Sequence, residues 1–373
     1  MTTIDTTYKT ARGRAFNFSA GPAVLPEPVI EQAQKDLMDV FGSGMGVCEL
    51  SHRGAQFDRI LEEAEADLRA VGKIPGNYRV LFLQGGATLQ TAMIPMSFLP
   101  EGKTADYFDT GKWASEAIKE AKKIGGVNIA GSTKDTDYDR LPDFASANYT
   151  DGAAYRFFVS NNTIFGTQFA DLPKSDAPIV CDMSSDIFCR PIEWAKYDFV
   201  YASLQKNLGP SGQALVVIKD DFLATAPDDT LPKMLDYKVQ AAKESRYNTP
   251  NTFAIYLLGQ VVKWVQTEFG SLEAVEAYNK EKAAVLYDYL DAQSFYVAHV
   301  KDPAHRSLMN ITFRCPKPEQ DKAFIEQAEK CGLTTIGGHR SIGGMRASIY
   351  NAMPIEGLRA LVEFMQRFAD EHA

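Results

Sequence analysis

Between residues 78 and 219 the chain alternates short apolar runs with stretches whose apolar residues recur every three to four positions. The runs are "YRVLFL" (78–83), "TADYFD" (104–109), "YRFFVS" (155–160), "APIVCD" (177–182), "KYDFVYAS" (196–203) and "ALVVIK" (214–219), with helix-period segments at 88–98 and in "WASEAIKEAKKIG" (113–125). Such alternation predicts an α/β domain on a largely parallel sheet. After Gly54, the spacing of Phe57, Ile60, Leu61, Ala64, Leu68 and Val71 puts all six on one face of an amphipathic helix.

Past residue 250 the pattern changes. Two long helical segments, "TFAIYLLGQVVKWVQTEF" and "SLEAVEAYNKEKAAVLYDYL", precede strands expected at 306–314 and 344–350 and a closing helix from Pro354, placed at the first helical position. The division expected is an N-terminal arm (1–20), a large α/β domain (21–265) and a smaller α+β domain (266–373).

Composition narrows the function. The chain has 373 residues, 45% of them hydrophobic, and a formal net charge of -9. A chain this acidic lacks the basic face with which a general nucleic-acid binder displaces phosphate counterions. Any anionic ligand must meet local positive charge. The five cysteines show no CxxC pair and no metal-ligand spacing, so neither a disulfide framework nor a metal site is expected. No apolar run has membrane-spanning length and the first twenty residues lack a signal-like core, which points to a cytoplasmic protein.

Chemistry is concentrated at the predicted strand ends. Lys206, in "FVYASLQKNLGPSG", follows a buried run near the carboxyl end of the sheet, where open α/β sheets place their ligands. Loss of solvation there favours a neutral, nucleophilic amine, although an isolated lysine more often extends its head to water. Asp182, in "PIVCDMSSD", ends another run; a carboxylate there could face Lys206 across one crevice or simply cap a following helix. A lysine and an aspartate so placed are what pyridoxal phosphate needs, the first for its aldehyde and the second for its ring nitrogen.

The turn in "FLQGGATLQ" (82–90) would present backbone N–H groups to a phosphate, with Thr88 adding a hydroxyl, or its glycines serve only the turn. Trp113 suits either stacking on a planar ring or anchoring its helix. Thr163, Asn248 and Thr249 stand in turn-like stretches where local hydrogen bonds are the ordinary role. His52 and Arg53 in "SHRGAQF", and His339, Arg340 and Arg346 in "GGHRSIGGMRASIYNAMP", have the composition of a site for a carboxylate and a phosphate. The flanking glycines favour that over an open basic patch.

In order along the chain, "NFSAGPAVLP", "SHRG", "TADYFDTGKW", "SLQKNLGPSG", "NTPNTFAIYLLG" and "GGHRSIGGMRASIYNAMP" resemble the phosphoserine aminotransferase family of class-V, fold-type I pyridoxal phosphate enzymes. The resemblance runs from residue 16 to near the end. It implies that Lys206 carries the cofactor, Asp182 pairs with its pyridine nitrogen, Trp113 stacks on the ring and Thr163 bonds its phenolic oxygen. Ala87, Thr88 and Gln205 would hold its phosphate, joined by Asn248 and Thr249 from the partner of a homodimer.

Arg53 resembles the family's arginine for the substrate α-carboxylate, with His52 beside it. His339, Arg340 and Arg346 resemble the substrate-phosphate cluster. The activity implied is reversible amino transfer between L-glutamate and 3-phosphohydroxypyruvate in serine biosynthesis, extending to 4-phosphohydroxy-L-threonine in vitamin B6 biosynthesis. One departure is visible: some bacterial members read "GGGRGQ" in the phosphate turn, where this chain reads "GGATLQ" and Thr88 replaces the arginine. The rival readings are another class-V activity, such as alanine–glyoxylate transamination or cysteine desulfuration, and a catalytically idle cofactor-binding scaffold.

Overall fold

A computed structural model describes residues 6–172 and 175–372. Seven strands form the main sheet: β1 (Tyr78–Gln84), β2 (Thr104–Asp109), β3 (Gly126–Ser132), β4 (Arg156–Val159), β5 (Ile179–Asp182), β6 (Phe199–Ser203) and β7 (Gln213–Lys219). They lie in the order β1-β7-β6-β5-β4-β2-β3, with β7 antiparallel to both neighbours and the remaining pairs parallel. This is the expected α/β architecture. Four-residue β4 and β5 are buried at every position, as a sheet covered on both faces requires.

Helices supply both covers. On one face α1 (Ala55–Gly72) packs along α4 (Thr252–Phe269), and all six residues of the predicted α1 stripe are buried. On the other lie α2 (Gly86–Phe98) and α3 (Lys112–Ala121), sealing a second apolar layer around Leu81, Tyr107, Phe157 and Val216. The parallel strands therefore open their carboxyl ends toward the N-termini of α2 and α3.

A separate core gathers the C-terminal half of α5 (Leu272–Ala292), α6 (Pro318–Lys330), α7 (Ile355–His372) and an antiparallel sheet of β8 (Val297–Ala298), β9 (Asn310–Arg314) and β10 (Met345–Ser348). The expected boundary near residue 266 falls inside α4. The cores actually exchange along α5, where Leu272 and Val275 belong to the large core and Ala283, Leu286 and Leu290 to the small one. The N-terminal segment is also integral to the small domain, because Phe16–Asn17 pairs in parallel with Leu333–Thr334 and Phe16 and Phe18 are buried there. No described helix is long and apolar enough to cross a membrane.

Three expectations shift at their edges. The strand expected at 306–314 forms only from Asn310, because the Leu308 N–H turns to Gln168 Oε1 and the Met309 N–H to Ser307 Oγ. The strand expected at 344–350 is limited to Met345–Ser348. Pro354 stands just outside α7, which opens at Ile355.

Candidate active site

Lys206 sits in the turn between β6 and β7, and its Nζ donates to Thr163 Oγ1 over 2.6 Å. It does not extend to bulk water. Loss of solvation pushes its pKa down to about 8, with Arg346 lowering it further and Asp182 opposing the shift. Asp182 terminates β5 beside Tyr201 of β6 and is only 6% exposed. No helix follows it, so the capping role falls away; its Oδ1 accepts the Ser184 N–H at 2.8 Å in a tight turn. Burial raises its pKa, against the pull of that hydrogen bond and of Lys206.

A cavity of about 660 Å³ joins these two groups to Gly86, Ala87, Thr88, Trp113, Thr163 and Gln205. Trp113 is 41% exposed on its wall, with Lys206 Nζ 5.9 Å from the ring centroid. That position suits a stacking surface and not a core anchor. At one end, α2 begins after Gly85 without a side-chain cap. The Ala87 N–H reaches Ser203 Oγ at 3.4 Å, and a Cβ on Gly86, whose φ is +59°, would stand 3.2 Å from that oxygen. Only glycine lets the backbone come this close with a left-handed turn. An uncapped helix N-terminus facing a cavity is an anion site.

The cationic segment folds next to this cavity. Arg346 of β10 donates through Nη1 to the Thr163 carbonyl at 3.4 Å, so one residue touches both Arg346 and Lys206. Its Nε has no hydrogen-bond partner, and no described carboxylate pairs with it. Burial lowers its pKa, as expected for a cation without a counter-charge. His339 is held low by burial first, then by the positive charges of Lys112, Arg346 and Arg340. The close backbone approach expected of the glycines is present: a Cβ on Gly338 would lie 2.0 Å from the Gly343 carbonyl oxygen.

The donor set fits pyridoxal phosphate. The Lys206 amine, the buried Asp182 carboxylate, the exposed Trp113 indole and the Thr163 hydroxyl line a single cavity beside the uncapped N-terminus of α2. The volume falls in the ordinary range for small-molecule sites. The family of class-V aminotransferases matches residues 15–361. The phosphoserine aminotransferase of Listeria monocytogenes is 48% identical over 359 residues, covering 96% of this chain and 97% of its own. The chain belongs to the phosphoserine aminotransferase family.

Solved members agree in shape. The phosphoserine aminotransferase of Bacillus circulans subsp. alkalophilus superposes with a TM-score of 0.94 at 46% identity, covering 96% of this chain and 99% of that one. The pyridoxal phosphate-bound enzyme of Trichomonas vaginalis does so with a TM-score of 0.90 at 37% identity, covering 95% and 100%. As a member of this family the chain is a pyridoxal phosphate-dependent aminotransferase.

Four of the expected site residues lie away from this cavity. His52 and Arg53 precede α1, outside the residues that line the cavity, and the Arg53 N–H bonds only to Ser51 Oγ at 3.3 Å. Asn248 and Thr249 also lie off the cavity, the Thr249 carbonyl accepting from Gln84 Nε2 at 3.1 Å and from Asn248 Nδ2 at 3.1 Å. Sequence reading overlooked Ser184 and Ser203. Both follow apolar runs, and that strand-end position was the available signal.

Proposed function

We propose that this enzyme transfers an amino group between L-glutamate and 3-phosphohydroxypyruvate, giving 2-oxoglutarate and O-phospho-L-serine, with 4-phosphohydroxy-L-threonine as a further substrate. The observation that carries the reading is the presence of further cations, His339 and Arg340, in the segment that also holds Arg346, a half-buried guanidinium with an unpartnered Nε touching the residue that holds Lys206. Alanine–glyoxylate transfer asks for a single carboxylate site. A substrate with a second, doubly charged group explains the larger cluster. Cysteine desulfuration is disfavoured because no cysteine lines the cavity and four of the five, Cys48 excepted, are buried, the opposite of a reactive thiol.

Pyridoxal phosphate, when bound, supplies a sink for the electron pair left as the Cα proton departs. Lys206 holds its aldehyde and then moves the proton from Cα, a task its lowered pKa suits near neutral pH. Asp182 keeps the ring nitrogen protonated, Trp113 covers a ring face, and Thr163 donates to the ring oxygen. The N–H groups of Ala87 and Thr88, with Ser203 and Gln205, receive the cofactor phosphate. Because an arginine is absent from this turn, backbone dipole and hydroxyls do the binding.

The geometry favours a different division of the substrate contacts from the one the resemblance suggested. Every amino-acid substrate carries its carboxylate on the carbon bonded to the reacting nitrogen, so that group stays close to Lys206. Arg346 is the arginine linked to Lys206 through Thr163, and we assign it the α-carboxylate. His339 and Arg340, with His52 and Arg53 reaching across a homodimer, are assigned the distal phosphate or the glutamate side-chain carboxylate. Asn248 and Thr249 of the partner complete the cofactor-phosphate site. A small-molecule amino transfer of this kind fits a cytoplasmic enzyme.

The direct test is glutamate formation by the purified protein from 2-oxoglutarate and either O-phospho-L-serine or unphosphorylated L-serine. The reading requires a strong preference for the phosphorylated amino acid. Equal rates, or a preference for alanine with glyoxylate, would overturn it.

A further inference from the structure

The carbonyls of three consecutive residues, Ile187, Phe188 and Cys189, each accept an asparagine side chain from a different part of the fold. Asn207 Nδ2 donates to Ile187 at 3.0 Å, Asn351 Nδ2 to Phe188 at 3.0 Å and Asn279 Nδ2 to Cys189 at 3.1 Å. The asparagines are also joined to one another. The Asn351 N–H donates to Asn207 Oδ1 at 3.0 Å, and Asn279 Nδ2 donates to Asn351 Oδ1 at 2.9 Å. All three are buried.

Their places in the chain give this network its meaning. Asn207 directly follows Lys206, Asn351 stands just beyond β10, which carries Arg346, and Asn279 belongs to α5. The accepting residues close the turn that begins at Met183, straight after Asp182: the Ile187 N–H donates to the Met183 carbonyl at 2.8 Å and the Cys189 N–H to the Asp186 carbonyl at 3.1 Å. Phe188 has a φ of +56° there, a conformation that a bulky residue keeps only where its surroundings enforce it. Buried amide networks rigidify the segments that they join. This one ties together the Lys206 loop, the turn behind Asp182 and the strand end beyond Arg346.

We infer that Asn207 is a positioning residue, assisted by Asn351, which holds the Lys206 loop in register with the Asp182 turn and the small domain, so that the Lys206 amine is aimed at the Cα proton of the substrate. Asn207 acts through Lys206 and touches no substrate itself. The inference is independent of which amino acid is used, but it rests on the proton-moving role assigned to Lys206 above.

The test compares Asn207→Ala and Asn351→Ala with the unaltered holoenzyme, at equal cofactor content, in the half-reaction with L-glutamate and with Cα-deuterated L-glutamate. Asn207→Ala should lower the limiting rate roughly 10- to 100-fold while the apparent Kd for L-glutamate changes by less than about 3-fold. Asn351→Ala leaves both contacts of Asn207 in place and should lose less, about 3- to 10-fold; it carries the test should Asn207→Ala fail to fold. In both variants the deuterium isotope effect on the limiting rate should be at least that of the unaltered enzyme, because the step slowed is transfer of the Cα proton. In the cofactor-free proteins the midpoint of the Lys206 reaction with an aldehyde probe should move upward from near pH 8. A loosened loop returns water to the amine, while Asp182, Asp186 and Arg346, the charged groups that act on it, are unaltered. A lowered Tm with an unchanged limiting rate, a smaller isotope effect, or an unmoved midpoint would overturn the inference. If Lys206→Ala removes the Cα proton as fast as the unaltered enzyme, the role of Lys206 itself fails and the inference falls with it.

Discussion

Lys206 and Arg346 share one residue: Thr163 accepts from Lys206 Nζ through its hydroxyl at 2.6 Å and from Arg346 Nη1 through its carbonyl at 3.4 Å. The large domain contributes the amine and the small domain the guanidinium. Both contacts are made by one residue of the loop after β4. An amino acid presents its nitrogen and carboxylate on one carbon, and this pairing is the feature on which the proposed α-carboxylate role of Arg346 rests.

Arg346→Ala should accordingly weaken every amino-acid substrate. Loss of a charge-assisted, partly desolvated contact lowers kcat/KM by roughly 30- to 1000-fold for O-phospho-L-serine and L-alanine alike. Arg340→Ala should instead penalise O-phospho-L-serine selectively. Steady-state kinetics on the two substrates decides, and a phosphate-selective loss at Arg346 would restore the assignment drawn from resemblance.

Asp182→Asn isolates charge from geometry. Asparagine keeps an oxygen to accept the Ser184 N–H but cannot hold the ring nitrogen protonated. The maximal rate should fall by about 10²- to 10³-fold. Because burial raises the Asp182 pKa, its ionised form opposes folding of the cofactor-free protein above that carboxyl's unfolded pKa. Removing the charge should therefore leave the Tm of the cofactor-free protein at pH 7 unchanged or higher; a large drop would make Asp182 a structural residue.

The amine of Lys206 should titrate early. In the cofactor-free protein its rate of reaction with an aldehyde or acylating probe should rise with a midpoint near pH 8, against about 10.4 for an ordinary lysine. Below that midpoint the amine is protonated and unreactive. A midpoint near 10 would mean that the site leaves Lys206 fully solvated.

Subunit mixing tests the shared site. Neither Lys206→Ala nor a variant with Asn248→Ala and Thr249→Ala should be active alone. After exchange in equal amounts, half of the dimers are hybrids with one intact site of two, so activity should return to about a quarter of the unaltered level. Proven exchange without recovery would show that each subunit builds its own site.

Much of this was readable from spacing. The alternation of runs located six of the seven main strands, and the stripe from Phe57 to Val71 located α1, because buried faces impose their period on the sequence. β3 escaped because it is an edge strand, with one buried residue and two glycines in "GVNIAGS". α6 escaped because only Phe324 and Ala328 of its thirteen residues are buried. At the site, Lys206 and Asp182 were legible as polar residues ending apolar runs. The contact of Thr163 with both Lys206 and Arg346 was not, since it joins two domains through a fold that no local pattern encodes. The proposed role of Arg346 depends on its contact with Thr163, which spacing along the chain does not give.

The proposed chemistry turns on one amine, and reductive trapping measures that amine directly. The purified protein with pyridoxal phosphate is reduced with borohydride, digested and mapped by mass spectrometry. The cofactor should be fixed on the peptide containing Lys206, and prior incubation with O-phospho-L-serine should abolish the label, because the substrate nitrogen takes the place of the lysine. Labelling at another lysine, or a Lys206 label that O-phospho-L-serine leaves untouched, would contradict the account.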